Sequence, residues 1–131
     1  MGQKGAAAVE FGIILPFLVL LVFGTIEFGV MFYNKQVITN ASREGARAAI
    51  TGVDADQVKQ IVKDYCNGKL FTLMGSINLS DDDINVPPLD GDDQSVSVSF
   101  EYDFLFSQII GFTDTILSAR TTMRMEPGSG S

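Results

Sequence analysis

The sequence contains no histidine and only one cysteine, Cys66, in 131 residues. Histidine is the commonest general base near neutral pH and a frequent zinc ligand, so most hydrolytic and metal-dependent mechanisms lose their usual residue. A single cysteine excludes an intramolecular disulfide. We therefore predict a protein that is not an enzyme, with no catalytic site, no metal site, no cofactor and no small-molecule substrate.

Basic residues are also scarce. Nine lysines and arginines face sixteen acidic residues, for a net charge of −7. No basic residue lies between Asp81 and Asp114, where nine acidic residues occur. Proteins that bind nucleic acid need clustered positive charge to neutralise phosphates, so we expect no nucleic-acid partner.

Apolar residues are concentrated near the N-terminus. No charged residue lies between Phe11 and Ile26, and the apolar run reaches Tyr33 with Glu27 as its only charge. A helix of about 20 residues crosses a hydrocarbon core of roughly 30 Å. The run therefore predicts a transmembrane helix over about residues 11–33.

The helix is expected to continue beyond the membrane, because no strong breaker occurs before Thr51 and Gly52. We assign it to residues 6–52, with Pro16 removing one backbone hydrogen bond inside it. The alternative is a cleaved secretory signal, which has a shorter apolar run closely followed by small residues. The nearest small-residue cluster, residues 46–49, lies far downstream, which favours a retained anchor.

A second helix is marked by Asp54 and Gln57, which have the spacing of a capping box. Apolar residues then recur at helical spacing to near Gly75. They form one face of an amphipathic helix: Val58, Val62, Tyr65, Cys66, Leu70 and Leu73.

Residues 95–104 and 116–126 alternate between apolar and polar side chains, as half-buried strands do. Residues 83–89 supply a short third strand. The predicted fold class is α+β: a long N-terminal transmembrane helix, a second amphipathic helix and a small, about three-stranded antiparallel sheet. The apolar face of the sheet packs against the second helix or against the long helix where it leaves the membrane. Residues 53–126 form this small domain, and residues 127–131 form a flexible tail.

Glu10 lies at the start of the apolar run, five residues after Gly5. A carboxylate is tolerated there at the membrane interface or beside a cation. On its own, Glu10 is equally explained as a solvated residue that suits the positive end of a helix. The stretch GAAAVEF, residues 5–11, resembles the prepilin peptidase site of type IVb, Flp-like pilins.

The wider chain resembles the TadE-like minor pilins, or pseudopilins, of the tight-adherence pilus system. Besides the apolar helix with its GAAAVEF start, the matching stretches are NKQVITNASREGARAA and the closing ILSARTTMRME. The resemblance implies a pilin-like fold whose leader, residues 1–5, is cut between Gly5 and Ala6 by a membrane-embedded peptidase. Glu10 and Phe11 would serve in peptidase recognition and subunit registration. The new amine of Ala6 would pair with the glutamate of a neighbouring subunit, which relieves the cost of both charges in lipid.

The resemblance further implies a structural subunit of the bacterial inner membrane. Its N-terminus would be cytoplasmic and its C-terminal domain extracytoplasmic, and it would join a tight-adherence filament or its secretion machinery. The implied partners are the prepilin peptidase, other pilin subunits, the pilus assembly machinery and membrane lipid. The alternatives are an unprocessed single-pass adaptor for another membrane protein and a membrane-tethered enzyme. The charge distribution opposes the implied orientation, because Lys4 flanks one side while Lys35, Arg43 and Arg47 flank the other.

Four further residues are predicted to pack helices or contact neighbours: Pro16, Glu27, Arg43 and Arg47. Glu27 lies about 260° around the helix from Glu10 at ~100° per residue, so the two glutamates do not share a face. Near the outer interface Glu27 can reach headgroups, be protonated or pair with another subunit. The two arginines contact headgroups or a neighbouring helix, or form a solvated face.

Cys66 is expected to be a small buried hydrophobe rather than a cross-link between chains. The acidic runs at residues 81–83 and 90–93 lack the spacing and closing glutamate of a calcium-binding loop. They are better explained as solvated loops.

Overall fold

The computed structural model describes residues 2–73, 75–103, 105, 111 and 115–124. Its helices and strands follow in the order α1 (Gly2–Ile50), α2 (Ala55–Cys66), β1 (Phe71–Thr72), β2 (Gly75–Ser76), β3 (Ile84–Asn85), β4 (Asp93–Tyr102) and β5 (Thr115–Arg124). Strands β3, β4 and β5 form an antiparallel sheet in that order, and β1 pairs with β2 in a separate hairpin. The predicted α+β fold class is confirmed.

Helix α1 has 49 residues, which gives a length of about 73 Å at ~1.5 Å per residue. It begins at Gly2, so the described residues of the predicted leader already belong to the helix. Its C-terminal end is closed by Gly52, whose φ of +91° is in the left-handed region. The Gly52 N–H donates to the Ala49 carbonyl at 3.1 Å and the Val53 N–H to the Ala48 carbonyl at 3.4 Å. This bonding pattern is a Schellman motif, which explains why α1 stops at Ile50.

The two halves of α1 have different surroundings. Through its first half the side chains are almost all exposed, whereas the second half has one buried stripe. The stripe recurs at helical spacing and contains Glu27, Asn34, Val37, Ile38, Ala41, Ser42, Gly45 and Ala46. The last four of these residues, Ala41, Ser42, Gly45 and Ala46, are small, so neighbouring elements can approach the α1 backbone closely there.

The sheet packs on this stripe of α1, and α2 packs on α1 as well. The alternating face of β4 is buried as predicted, with Val96, Val98 and Tyr102 fully enclosed. Leu117 and Ala119 of β5 are buried on the same sheet face. Of the two packing arrangements that the sequence left open, the structure therefore has the sheet on the long helix.

Helix α2 is shorter than its sequence pattern predicts. It ends at Cys66 instead of near Gly75, and Gly68 follows with a left-handed φ of +74°. The expected cap is also wrong, because the Asp54 side chain makes no capping hydrogen bond. Leu73, predicted for the apolar face, lies in the β1–β2 turn and is exposed.

Strand boundaries differ from the prediction by a few residues. β4 begins and ends two residues earlier than expected, and the third strand has only two residues, Ile84 and Asn85. Paired Pro87 and Pro88 follow it, and neither can donate a backbone hydrogen bond to a ladder. The predicted face residues Phe104 and Met125 and the tail at residues 127–131 lie outside the described residues.

Candidate assembly and membrane-anchoring site

The residues predicted for processing lie together at the exposed start of α1. Gly5, Ala6, Glu10 and Phe11 are all helical and exposed. A Cβ atom placed on Gly5 would meet no atom within 4 Å. Glu10 lies four residues beyond Ala6, about 6 Å along the axis at ~1.5 Å per residue. One turn of helix therefore separates the proposed new N-terminus from the carboxylate.

The apolar part of α1 is uncovered in the monomer. An 18-residue window reaches a mean hydropathy of 2.5, and none of it is buried. Exposed large side chains run from Val9 to Tyr33 on every side of the helix. Exposure of this much apolar surface to water is unfavourable, whereas lipid or other apolar helices would cover it at no such cost. The length and composition of α1 suffice for a membrane anchor.

Pro16 lies inside this uncovered part, and α1 continues through it without interruption. Proline has no backbone N–H, so the Gly12 carbonyl one turn earlier loses its usual intrahelical donor. A carbonyl at this depth of a bilayer needs another partner or a local adjustment of the helix. Pro16 thus marks the point where the backbone of the apolar segment is least satisfied internally.

Glu27 is the first residue of α1 to be buried by the domain. Only 2% of it is exposed, and its Oε1 accepts a hydrogen bond from the backbone N–H of Leu105, beyond the end of β4. Burial, and then the Glu27 carboxylate, raise the pKa of the nearby Tyr102 hydroxyl to about 12. From the sequence, Glu27 was expected to reach lipid headgroups or to pair with another subunit. In the structure its carboxylate is instead buried within the chain's own fold, because Glu27 lies on the same helix face as the buried stripe.

Asn34, two turns further along α1, fastens the β1–β2 hairpin. It is fully buried. Its side-chain amide donates to the Phe71 carbonyl at 2.6 Å and its Oδ1 accepts from the Phe71 N–H at 3.2 Å. The Tyr33 and Phe71 rings are 5.3 Å apart beside this pair. The Asn34 side chain thereby completes the backbone hydrogen bonding of Phe71 in β1. The sequence did not indicate this contact, because the two residues are far apart in the chain.

Gly45 lies where α1, α2 and β4 meet. A Cβ atom added there would be 2.7 Å from Val62 Cγ2, 3.2 Å from Val96 Cγ1 and 3.4 Å from Val58 Cγ1. Only a glycine lets the three elements approach this closely. The sequence analysis did not single out Gly45, although its place between Ala41 and Ala46 could have indicated a close helix contact.

Arg43 and Arg47 flank Gly45 but point away from the core, and both are exposed. They are four residues apart on α1, so they share one face. Both side chains are therefore accessible, and their contact with headgroups or a neighbouring helix stays a prediction. A short hydrogen bond nearby, 2.6 Å between Ser42 Oγ and Thr121 Oγ1, instead ties the buried side of α1 to β5.

Cys66 is buried against the core and is a free thiol. Burial raises its pKa to about 11, against a smaller opposing effect of Lys69. The thiol is therefore protonated at neutral pH and poorly reactive. Its burial agrees with the predicted role as a small hydrophobe.

The first acidic run has local partners. Asp81 pairs with Lys63 of α2 at 2.6 Å, and this lysine holds the pKa of Asp81 below its usual value. Asp83 accepts hydrogen bonds from the Ser80 N–H at 2.8 Å and the Ser80 hydroxyl at 3.0 Å. Over the residues that the structure describes, no three potential metal ligands of the His, Cys, Asp or Glu type come together.

Comparison with known protein families gives a match for part of the chain. Residues 5–47 match the family described as TadE-like protein. This segment is TadE-like. It covers about a third of the chain and confirms the predicted resemblance over that part, whereas the closing stretch at residues 116–126 lies outside the match. No curated protein and no solved structure gave a significant match.

The TadE-like segment, residues 5–47, contains every residue that the sequence singled out for processing or packing. It starts at Gly5 and ends at Arg47, so it runs from the predicted cleavage position to the close contact at Gly45.

Proposed function

We propose that the chain is a membrane-anchored minor pilin, or pseudopilin, of a tight-adherence pilus or its secretion machinery. A prepilin peptidase removes residues 1–5 on the cytoplasmic side of the inner membrane. The domain lies outside the cytoplasm, and the mature subunit waits in the bilayer before it joins a filament or supports its assembly. Its role is structural, not catalytic.

The observation that carries this proposal is the uncovered apolar half of α1, which begins with the Gly5 to Phe11 motif. A helix with exposed apolar residues on all sides has lipid as its solvent, and it can exchange that lipid for the helices of other subunits. Packing against helices is then the mechanism of assembly. The compact domain remains at the far end of α1, where it does not obstruct this contact.

Glu10 supplies the polar contribution to this packing. Its carboxylate is exposed and would be costly in lipid without a cation. After cleavage, the α-amine of Ala6 becomes a cation one helical turn away. Pairing between the amine of one subunit and Glu10 of the next satisfies both charges only at one axial offset, so it selects the register of neighbouring helices.

The processing step is tested by the mass of the chain in cells that contain a prepilin peptidase. Gly5→Lys places a long charged side chain at the cut and should leave the leader attached. Gly2→Lys adds the same charge within the leader, also with no atom within 4 Å of its Cβ, and should still be cut. Cleavage of the Gly5→Lys chain, or loss of cleavage in both variants, would contradict recognition at Gly5.

Assembly is tested separately with Glu10→Gln. The uncharged amide retains the shape of the side chain but not the ion pair. If Glu10 registers subunits, the variant should be cleaved yet recovered in sheared filaments at a lower level than the wild type. Equal recovery would restrict Glu10 to peptidase recognition. A wild-type chain that is never cleaved and never found with pilus proteins would instead favour the single-pass adaptor.

A further inference from the structure

Strand β4 runs back along α1 toward the membrane. At one end of this path, Val96 lies beside Gly45; at the other, Leu105 donates to Glu27. The eighteen residues from Gly45 to Glu27 span about 27 Å at ~1.5 Å per residue. The six residues from Val96 to the end of β4 at Tyr102 span about 20 Å at ~3.3 Å per residue. The end of β4 therefore lies near the height of Glu27, which Leu105 contacts three residues later.

Glu27 in turn lies at the outer boundary of the hydrocarbon. From Ala6 to Glu27 the helix rises about 32 Å at ~1.5 Å per residue, and a hydrocarbon core is roughly 30 Å thick. A span that begins at Ala6 therefore ends where the domain first covers α1. The predicted span of residues 11–33 would place the end of the domain deeper still, so in either case this end of the domain meets the lipid headgroups.

The domain carries exposed apolar side chains at this end. Ile116, opposite Glu101 in the β4–β5 ladder, is 65% exposed. Phe71, tied to α1 by Asn34, is 41% exposed. Thr121 contacts Ser42 of α1, and Ile116 lies five residues earlier in β5, about 16 Å nearer the membrane at ~3.3 Å per residue. The same distance along α1 from Ser42 leads roughly to the height of Tyr33.

The adjoining turns of α1 carry similar side chains. Phe28 and Phe32 are exposed on one face, and exposed Lys35 follows on that face one turn later. Tyr33 contacts Phe71 from α1. Aromatic side chains followed by a basic residue are typical of the level at which a protein meets the headgroups. We call Phe71 and Ile116 of the domain the membrane-proximal rim.

We propose that the membrane-proximal rim rests in the outer headgroup layer of the bilayer that α1 crosses, so that the domain itself binds lipid. The occupant of this surface is the lipid interface, because the rim is continuous with the apolar surface of α1 and adjoins Lys35, which can reach lipid phosphates. Glu27 fastens the end of β4 to α1 and so holds the rim at this depth. The inference rests on the proposed function only in that α1 spans a membrane.

The absence of tryptophan from the chain allows a direct test. Phe71→Trp and Ile116→Trp each introduce a single fluorescent probe at the rim. Leu89→Trp is the matched control, also exposed but near the start of β4, at the opposite end of the domain. Phe17→Trp, in the uncovered part of α1, reports whether the helix spans the bilayer.

Each full-length variant is reconstituted in phosphatidylcholine vesicles at low protein-to-lipid ratio. Emission is then measured with lipids brominated at shallow or deep chain positions and with aqueous acrylamide. We expect both rim probes to emit at shorter wavelength than Leu89→Trp, to lose emission with shallow bromines and to be shielded from acrylamide. Phe17→Trp should lose emission with deep bromines.

Rim probes that behave like the Leu89→Trp probe, while the Phe17→Trp probe is quenched by lipid, would overturn the proposal and leave the membrane anchor intact. Rim shielding that disappears on dilution with lipid would identify a second copy of the chain as the occupant and would also overturn it. A Phe17→Trp probe without lipid quenching would refute the anchor on which both proposals depend. Since the assay needs no peptidase and no filament, a failure of processing leaves its outcome unchanged.

Discussion

Adding one methyl group at Gly45 should loosen the domain. The new Cβ of Gly45→Ala would lie 2.7 Å from Val62 Cγ2 and 3.2 Å from Val96 Cγ1, and a carbon pair closer than 3.0 Å forces some atoms to move. Val62 is fully buried, and a helical valine strongly prefers one rotamer. It therefore cannot turn aside without a cost to the backbone of α2.

The magnitude follows from two opposing effects. Overpacking a core by a methyl group costs typically ~1–3 kcal/mol, whereas replacing glycine by alanine inside a helix gains about 1 kcal/mol. Because Val62 is constrained, we expect the steric cost to prevail, with a net loss of up to about 2 kcal/mol in the free energy of local opening. A loss of about 1.4 kcal/mol would make the open population roughly ten times larger.

Hydrogen exchange of the full-length protein in detergent, followed by mass spectrometry, measures this opening in α2 and β4. Gly29→Ala makes the same change on an exposed part of α1 with no atom within 4 Å, and it should leave these amides protected. In Gly45→Ala combined with Val62→Ala, the shorter side chain should recover part of the loss. Unchanged or slower exchange in Gly45→Ala would refute the packing argument.

Three further predictions concern single contacts. Glu27→Leu leaves the Leu105 N–H without its acceptor, at a cost of about 1–3 kcal/mol, so hydrogen exchange of the Leu105 amide should be faster. Glu27→Gln retains an acceptor oxygen, and its Leu105 amide should exchange at nearly the wild-type rate. Equal exchange in both variants would contradict the contact. Asn34→Leu removes both hydrogen bonds to Phe71 and should speed hydrogen exchange of the β1–β2 hairpin amides. Asn34→Asp retains only an acceptor, so its exchange rates should be intermediate. Hairpin amides that stay protected in the leucine variant would count against the pairing. Cys66 has a pKa of about 11 in the folded protein, against an ordinary value of 9.0, so the stability that its buried thiol contributes is present below pH 9 and is lost as pH rises to 11. Between pH 9 and 11 the free energy of unfolding, measured by chemical denaturation, should therefore fall less in Cys66→Ala than in the wild type. An identical fall would argue against the raised pKa of Cys66.

Periodicity in the sequence was enough to predict the elements whose character is local. The apolar run of α1 needs no partner to be recognised, and the alternation in β4 determines which face is buried. The Schellman end of α1 also agrees with a local signal, since Thr51 and Gly52 directly follow the helical pattern and glycine readily adopts the left-handed conformation. The domain boundaries, the leader and the orientation of the chain in the membrane remain predictions.

The rest depends on contacts between residues far apart in sequence. Nothing next to Glu27 indicates that its acceptor oxygen meets Leu105, and nothing next to Asn34 indicates Phe71. Helix α2 ended early because Gly68 takes a left-handed conformation, while Leu70 stays buried after the helix and so imitates another helical turn. The buried stripe consists mostly of small or polar residues, which carry a weak hydrophobic signal, so the packing face of α1 could be predicted only in part.

The proposed function depends on processing of this chain by a prepilin peptidase between Gly5 and Ala6. Intact mass and N-terminal sequencing reveal this cut in the wild-type protein, extracted from membranes of cells that contain or lack the peptidase. We predict a chain that starts at Ala6 in the first case and retains the MGQKG leader in the second. A chain that keeps its leader in cells with the active enzyme would contradict the claim.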